Sequence, residues 1–113
     1  MERIFHITDA VSWRASRWDG YLRGDTLESD GYIHFSLKDQ VERVANARYR
    51  GQRGLVVLEV DPQRMDAPVR MEAAEDGEEF PHLYGPLDVS AVTRVHELRP
   101  NPDGSFTFRC STG

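Results

Sequence analysis

The chain has 113 residues, a length at which one hydrophobic core forms one domain, so we expect a single domain over residues 1–113. Hydrophobic residues make up 39% and charged residues 29% of the chain, which is typical of folded domains and excludes the composition of disordered ones. Fourteen Lys and Arg against nineteen Asp and Glu give a formal net charge of −5, which argues against binding of nucleic acid or acidic membranes through bulk charge.

The sequence lacks the patterns of membrane-spanning and secreted proteins. Its longest uncharged apolar runs are about as short as residues 54–58, well below the roughly 20 residues of a spanning helix. The first six residues show neither the apolar stretch nor the cleavage site of a signal peptide. We therefore expect a cytoplasmic protein that does not contact a membrane. Cys110 is the single cysteine, which excludes an internal disulfide.

The first half of the chain predicts two strands, each followed by a helix. Ile4, Phe5 and Ile7 form an apolar run too short for a helix, and Ser36 with Asp39 matches the helix-capping pattern. The predicted elements are a strand over residues 3–7, a helix from an N-cap at Thr8 or Asp9 to Gly20, an irregular loop over 19–31, a strand over 32–36 and a helix over 38–49.

The second half of the chain predicts mainly strands. An apolar, β-branched run at Leu55–Val60 is typical of a buried central strand. It is followed by a short strand over 69–71, an acidic solvated loop over 72–79, a strand over 92–98, a turn over 101–104 and a hairpin strand over 105–109. This order predicts an α+β fold with a mostly antiparallel β core and two helices.

Three of the four histidines stand in apolar or aromatic sequence. The rings of His6, His34 and His82 must be hydrogen-bonded, either within the protein or to a ligand in a pocket, and the sequence leaves both interpretations open. The histidines show no metal-ligand spacing on a helix and no nearby cysteine, so we expect no metal. A metal-dependent hydrolase that uses these histidines stays a third hypothesis, testable by elemental analysis.

Arg70 is a further unusual polar residue, because strand-like apolar residues flank it. Its guanidinium either lies on a solvated face or holds a carboxylate or phosphate. Glu72 lies two residues further and shares its strand face, so an ordinary ion pair is the alternative. Several aromatics are predicted to pack in the core or at edges rather than to stack on bases: Trp13, Trp18, Tyr32, Tyr49 and Tyr84.

Four motifs together resemble a known family. They are His6-Ile7-Thr8, the run Gly-Tyr-Ile-His-Phe-Ser at 31–36, residues 55–61, and Phe-Pro-His-Leu-Tyr-Gly-Pro-Leu at 80–87. The sequence resembles the uncharacterised bacterial family called domain of unknown function 952, over about residues 3 to 98. That resemblance implies an ADP-ribosyltransferase-like fold. The chain is more distantly similar to the catalytic lobe of RNA 2′-phosphotransferases of the KptA type.

The resemblance implies roles for individual residues. The first-strand histidine of the wider fold bonds the adenosine ribose of NAD, a role that would fall to His6 with Thr8 beside it. His34 and Ser36 would line the nicotinamide-ribose side of the cleft. The glutamate pair of ADP-ribosylating toxins has no counterpart here, since residues 80–85 stand at the matching strand, and the arginines of the KptA type have only Arg70 and Arg48 as stand-ins.

We therefore expect a cleft that binds NAD, ADP-ribose or a related nucleotide. In this hypothesis the catalytic candidates are His34, His82 and Arg70, with transfer or hydrolysis at the anomeric carbon of a ribose. The ligand-binding candidates are His6, Thr8, Ser36 and Tyr84. The alternative is a non-catalytic adaptor that keeps the fold and binds a basic protein partner through the acidic segment 72–79.

Overall fold

The computed structural model describes residues 2–24 and 26–109. Its strands are β1 (Ile4–Asp9), β2 (Tyr21–Leu22), β3 (Ile33–His34), β4 (Leu55–Val60), β5 (Val69–Ala73), β6 (Glu79–Leu83), β7 (Leu87–Asp88) and β8 (Val92–Leu98). Its α-helices are α1 (Ala10–Asp19), α2 (Leu27–Asp30) and α3 (Val41–Arg48), and short 3-10 helices span Pro62–Arg64 and Val89–Ala91.

Two three-stranded sheets and one two-stranded sheet organise the described strands. The orders are β1-β4-β8, β3-β6-β5 and β2-β7, and each of these pairings is antiparallel. The predicted α+β class and its mostly antiparallel sheets are therefore confirmed. The predicted number of two helices is wrong, because the described residues also contain the four-residue helix α2.

The position of β4 between two core clusters explains why its sequence is almost continuously apolar. Val56, Leu58 and Val60 belong to one core cluster, which also holds Ile33 and Leu83 of the β3-β6-β5 sheet. On the other face of β4, Leu55 and Val57 belong to a second cluster, formed with α3 and Phe106. Both faces of β4 are thus covered, as the apolar run predicts.

Strand β1 divides its side chains in the same way. Phe5 and Ile7 pack in the cluster with α3, whereas Ile4 packs in the cluster of the other face. Because side chains alternate along a strand, His6 and Thr8 share the face of Ile4. This alternation places both polar residues on the side of the β3-β6-β5 sheet.

The helix starts differ in how well the sequence predicted them. Asp9 caps α1 as expected, since its carboxylate accepts a hydrogen bond from the Ser12 amide at 2.8 Å. The start predicted for the second helix is wrong: α3 begins at Val41 and not at 38, and its N-cap is Gln40. The buried Gln40 side chain instead accepts from the Leu37 amide at 2.8 Å, which closes a turn before the helix.

Two segments predicted as loops contain regular structure. Residues 19–31 include β2 and α2. The acidic segment 72–79 is a β-hairpin, because Glu72 ends up in β5, Glu79 in β6, and only 74–78 form the turn. The turn is closed by bonds from the Ala74 amide to Glu78 and from the Gly77 amide to Ala74, with Gly77 at φ +89.

The hairpin strand predicted at 105–109 is wrong. The turn at 101–104 forms, since the Gly104 amide donates to the Asn101 carbonyl at 2.8 Å. The chain then runs along α3, where the Phe106 amide donates to the Asn46 side chain at 2.7 Å and the Phe108 amide donates to Glu42 at 2.9 Å. Helix side chains therefore take the hydrogen bonds that a partner strand would have taken. Cys110 lies outside the described residues.

Candidate functional site

A cleft of about 780 Å³ is lined by residues of both three-stranded sheets and of α1 and α3. Five of the predicted site residues line it: His6, Thr8, His34, Ser36 and His82. Arg48, the second arginine of the predicted set, also lines it, and so does Arg23. Arg70 and Tyr84 are not among the lining residues. The fold thus gathers most of the predicted side chains around one space.

The short stretch of residues 32–36, here called the crossing segment, brings the two sheets together at this cleft. Its β3 portion pairs with β6, and the Phe35 amide donates to the Pro81 carbonyl at 3.0 Å. One residue further, Ser36 exchanges two backbone hydrogen bonds with Phe5 of β1, at 2.9 and 2.7 Å. The predicted strand over 32–36 is therefore a crossing between sheets, in which Ile33–His34 is the regular part.

His6 is fixed by this crossing. Its Nδ1 lies 2.7 Å from the backbone carbonyl oxygen of His34, so Nδ1 carries the hydrogen and donates it. The ring also packs against Phe35, with centroids 5.2 Å apart. His6 therefore makes the hydrogen bond within the protein that the sequence offered as one interpretation, and its ring also lines the cleft.

His34 and Ser36 occupy different environments on the crossing segment. The His34 side chain is 40% exposed, and its Nε2 lies 3.3 Å from the Asp30 carboxylate on α2. Ser36 is buried, and its backbone makes the bridge to β1. His34 is thus the more accessible of the two polar groups.

His82 is the centre of a polar and aromatic network on the β3-β6-β5 sheet. Its Nδ1 donates to Oε1 of Glu72 at 2.9 Å, and the Tyr84 hydroxyl donates to the same oxygen. Tyr32 stacks on the His82 ring with centroids 4.0 Å apart and an interplanar angle of 13°. His34 meets the ring edge-on at 5.3 Å.

The hydrogen bonds of this network shift the pKa values of two of its members. The pKa of Glu72 lies below its usual value, first because Tyr84 donates to the carboxylate and second because His82 does. The same carboxylate raises the pKa of the Tyr84 hydroxyl, with burial adding to the effect. Glu72 is therefore held as a carboxylate that accepts from both neighbours.

Arg70 lies at the outer side of this network. It is exposed, and its guanidinium carbon stands 5.2 Å from the centroid of the Tyr84 ring, in cation–π contact. In the strand register Arg70 pairs with His82 and Glu72 pairs with Phe80. The structure thus places Arg70 and Tyr84 beside His82 rather than in the cleft lining.

Sequence reasoning did not single out Glu72 and Tyr32 as members of a site. Glu72 was set against Arg70 as an ordinary ion pair, whereas its hydrogen bonds go to His82 and Tyr84. The available signal was Asp76-Gly77, a dipeptide typical of β-hairpins, which would have predicted that the strands on either side of it pair and bring Glu72 near residues 80–82. Of the aromatics predicted to pack, Trp18 is instead 92% exposed.

Two further features are absent from the part of the chain that the structure describes. Over residues 2–24 and 26–109, no group of three or more His, Cys, Asp or Glu side chains is arranged to hold a metal ion. In the same part of the chain, no helix has the length and apolar character needed to cross a membrane.

The fold and the site together define a small α+β protein with three histidines lining a cleft between antiparallel sheets. Residues 7–95 match the model of the family described as Protein of unknown function (DUF952), and the chain belongs to this family. The family resemblance inferred from the sequence motifs is therefore confirmed.

Solved structures of one relative superpose closely on the chain. A crystal structure of protein CC0527 from Caulobacter crescentus is 36% identical, with a TM-score of 0.85 and coverage of 93% of each chain. A crystal structure of a double mutant of that protein is 37% identical, with the same TM-score and coverage. Its solution NMR structure gives 37% identity and a TM-score of 0.80, covering 93% of this chain and 91% of that one. A comparison with curated proteins gave no match.

Proposed function

We propose that the cleft binds NAD, ADP-ribose or a related nucleotide, in a fold of the ADP-ribosyltransferase-like type. The observation that carries this proposal is the meeting of His6 and Thr8 from β1 with His34, Ser36 and His82 in one cleft. A volume of about 780 Å³ lies within the range of small-molecule sites, roughly 300–1,000 Å³. The motif resemblance to that fold adds support.

The composition of the cleft is suited to the three parts of a nucleotide. Arg23 and Arg48 offer cations for phosphate groups, and Tyr32 and Phe80 offer aromatic faces for a base. The histidines, with Thr8, offer hydrogen-bonding groups for ribose hydroxyls. A small pocket of mixed apolar and polar lining with a few convergent polar groups is the usual form of such sites.

A reaction at the anomeric carbon of the bound ribose is the second part of the proposal. The observation that favours it is the hydrogen bond between His82 and Glu72, because a carboxylate that orients an imidazole is a recurring acid–base arrangement. His34 stands beside it, with ring centroids 5.3 Å apart. Turnover of NAD, ADP-ribose and 2′-phosphorylated RNA is the assay for this part.

Binding is tested by titrating the labelled protein with NAD and with ADP-ribose while amide shifts are followed. We expect saturable shifts in β1 and the crossing segment. The variant His6→Ala should keep the fold and lose binding, whereas His96→Ala, outside the cleft lining, should bind as the wild type does. Absence of shifts at millimolar ligand, or equal binding by His6→Ala, would overturn the proposal.

The alternative of a basic protein partner has less support from the geometry. Of the acidic hairpin, Glu72 is engaged by His82 and Tyr84, and Glu78 forms an ion pair with Arg43 at 2.6 Å and a bond with Gln40. Fewer carboxylates of the hairpin are therefore free of contacts within the protein, and able to bind a basic partner, than the sequence alone suggests. A salt-sensitive capture of one protein, lost when the exposed acids of the hairpin are neutralised, would restore this alternative.

A further inference from the structure

The carboxylate of Glu72 fixes which nitrogen of His82 carries the hydrogen. An ionised carboxylate only accepts hydrogen bonds, so the contact of 2.9 Å requires that Nδ1 of His82 be the donor. In the neutral imidazole the other nitrogen, Nε2, then carries a lone pair and accepts. The hydrogen bonds that Glu72 accepts hold its pKa below the usual value, so the carboxylate stays ionised and keeps the hydrogen of His82 on Nδ1.

The surroundings of His82 leave little freedom for its ring. Tyr32 stacks on one face, the His34 ring meets it edge-on, and the His82 side chain is only 12% exposed. Tyr84, which donates to the same oxygen of Glu72, anchors the carboxylate from just beyond the end of β6, two residues after His82. Each member of the pair is thus held by a separate neighbour.

The direction of the pair relates it to the cleft. His82 lines the cleft, whereas Glu72 and Tyr84 are not among its lining residues. Because Nδ1 is turned to Glu72, the polar ring atom that His82 can offer to a ligand is Nε2. The carboxylate therefore acts behind the imidazole and not on the ligand itself.

We infer that Glu72 is a positioning residue that presents Nε2 of His82 to the cleft as the acceptor for a hydroxyl group of the ligand, with Tyr84 holding Glu72. This inference rests on the proposed function in one respect: the hydroxyl group is taken to belong to the ribose of a bound nucleotide. When the hydroxyl gives up its proton, the proton goes to Nε2 and the electron pair stays on the ribose oxygen. The imidazolium charge is then balanced by Glu72.

The first arm of the test needs no ligand. Nitrogen-15 spectra of the histidine side chains, recorded where the imidazoles are neutral, report which ring nitrogen carries hydrogen. We expect Nδ1–H for His82 in the wild type and in Tyr84→Phe, and a mixture of tautomers in Glu72→Ala. The wild-type spectrum alone tests the assignment, even if Glu72→Ala does not fold.

A matched control comes from the second His–Glu pair of the chain. Nε2 of His96 lies 2.9 Å from Oε1 of Glu59, and neither residue lines the cleft. The variant Glu59→Ala should change the tautomer of His96 and leave that of His82 unchanged. An Nε2–H tautomer of His82 in the wild type, or an unchanged tautomer in a folded Glu72→Ala, would overturn the inference.

The second arm measures binding of ADP-ribose and of analogues that each lack one ribose hydroxyl. One of these analogues lacks the hydroxyl that donates its hydrogen bond to Nε2 of His82. It should bind about three- to tenfold more weakly than ADP-ribose to the wild type and to Glu59→Ala, which is the effect of one hydrogen bond. The same loss should change binding to Glu72→Ala by less than about twofold. Equal losses in all three proteins would overturn the inference.

The two arms separate the two proposals. If ADP-ribose and NAD do not bind while His82 shows the Nδ1–H tautomer, the nucleotide proposal and the ribose hydroxyl are overturned, and the positioning of the ring by Glu72 stands. If ADP-ribose binds but the tautomer is Nε2–H, the nucleotide proposal stands and the role of Glu72 is overturned.

Discussion

The described residues include two His–Glu pairs with the same hydrogen-bond length and different surroundings. His82 and Glu72 lie on the β3-β6-β5 sheet, and His96 and Glu59 lie on the β1-β4-β8 sheet, each with 2.9 Å between nitrogen and oxygen. In the first pair, the Tyr84 hydroxyl donates to Glu72 and the Tyr32 ring stacks on His82, beside the cleft. In the second, His96 meets the ring of Phe108 edge-on at 5.4 Å.

The comparison teaches that a His–Glu contact does not by itself mark a site. Glu59 is 15% exposed and Glu72 is 38% exposed, whereas the two histidines are buried to a similar extent, so the carboxylate of the second pair is the more enclosed and the better placed to stabilise its sheet. The pairs also use opposite ring nitrogens, Nδ1 in His82 and Nε2 in His96. Position relative to the cleft and the choice of nitrogen distinguish the functional candidate from the structural pair.

The largest expected effect separates the pairs by stability. Glu59→Ala should lower the free energy of unfolding by about 1–3 kcal/mol, because it removes a largely buried carboxylate from the central strand β4 and leaves the half-buried His96 without this acceptor. Glu72→Ala should cost less, since its carboxylate is more exposed. Urea unfolding of both variants checks this. An equal or larger loss for Glu72→Ala would break the comparison.

The aromatic neighbours give a second, smaller contrast. Tyr32→Leu removes the stacked ring beside His82 and should weaken ADP-ribose binding by about three- to tenfold, with a modest loss of stability. Phe108→Leu removes the edge contacts with His96 and Phe5 and should lower stability by about 0.5–1.5 kcal/mol without changing affinity. Calorimetric titration and thermal unfolding measure the two effects. Reduced affinity in Phe108→Leu would contradict the separation of the regions.

The smallest expected effect is a dependence on acid pH. Because the folded pKa of Glu72 is depressed, its stabilising contribution is present above the ordinary pKa near 4.5 and is lost as the pH falls through the folded value. Tyr84→Phe removes the main cause of that depression. The difference in urea midpoint between wild type and Tyr84→Phe should therefore be larger at pH 6 than at pH 3. A difference independent of pH would show that Tyr84 contributes by packing alone.

The parts of the fold that the sequence predicted have a local physical cause. The apolar run of β4 follows from burial on both faces, and the Asp9 cap follows from a carboxylate within reach of the Ser12 amide. Strands were predicted around His6 and His34 from their apolar neighbours, whereas none was predicted around His82, which lies on β6. The three histidines line one cleft, and the roles that the family resemblance implies for them stay predictions.

The missed parts depend on contacts between distant positions. The two-residue strands β2 and β7 are too short to produce a periodic signal, and they exist because they pair with each other. Asn46 replaces a partner strand for Phe106 across 60 positions of sequence. Glu72 reaches His82 only because the intervening hairpin sets their register, so a local reading assigned it to Arg70 instead.

The crossing segment also has a consequence for how fast a ligand enters. Its backbone hydrogen bonds to Pro81 on one sheet and to Phe5 on the other join the two sheets that line the cleft, so the cleft is already formed in the protein without a ligand. For the proposed nucleotide we therefore expect association without a slow opening step, at a rate set by diffusion and charge. Rapid mixing should give a single phase whose observed rate rises linearly with ligand concentration.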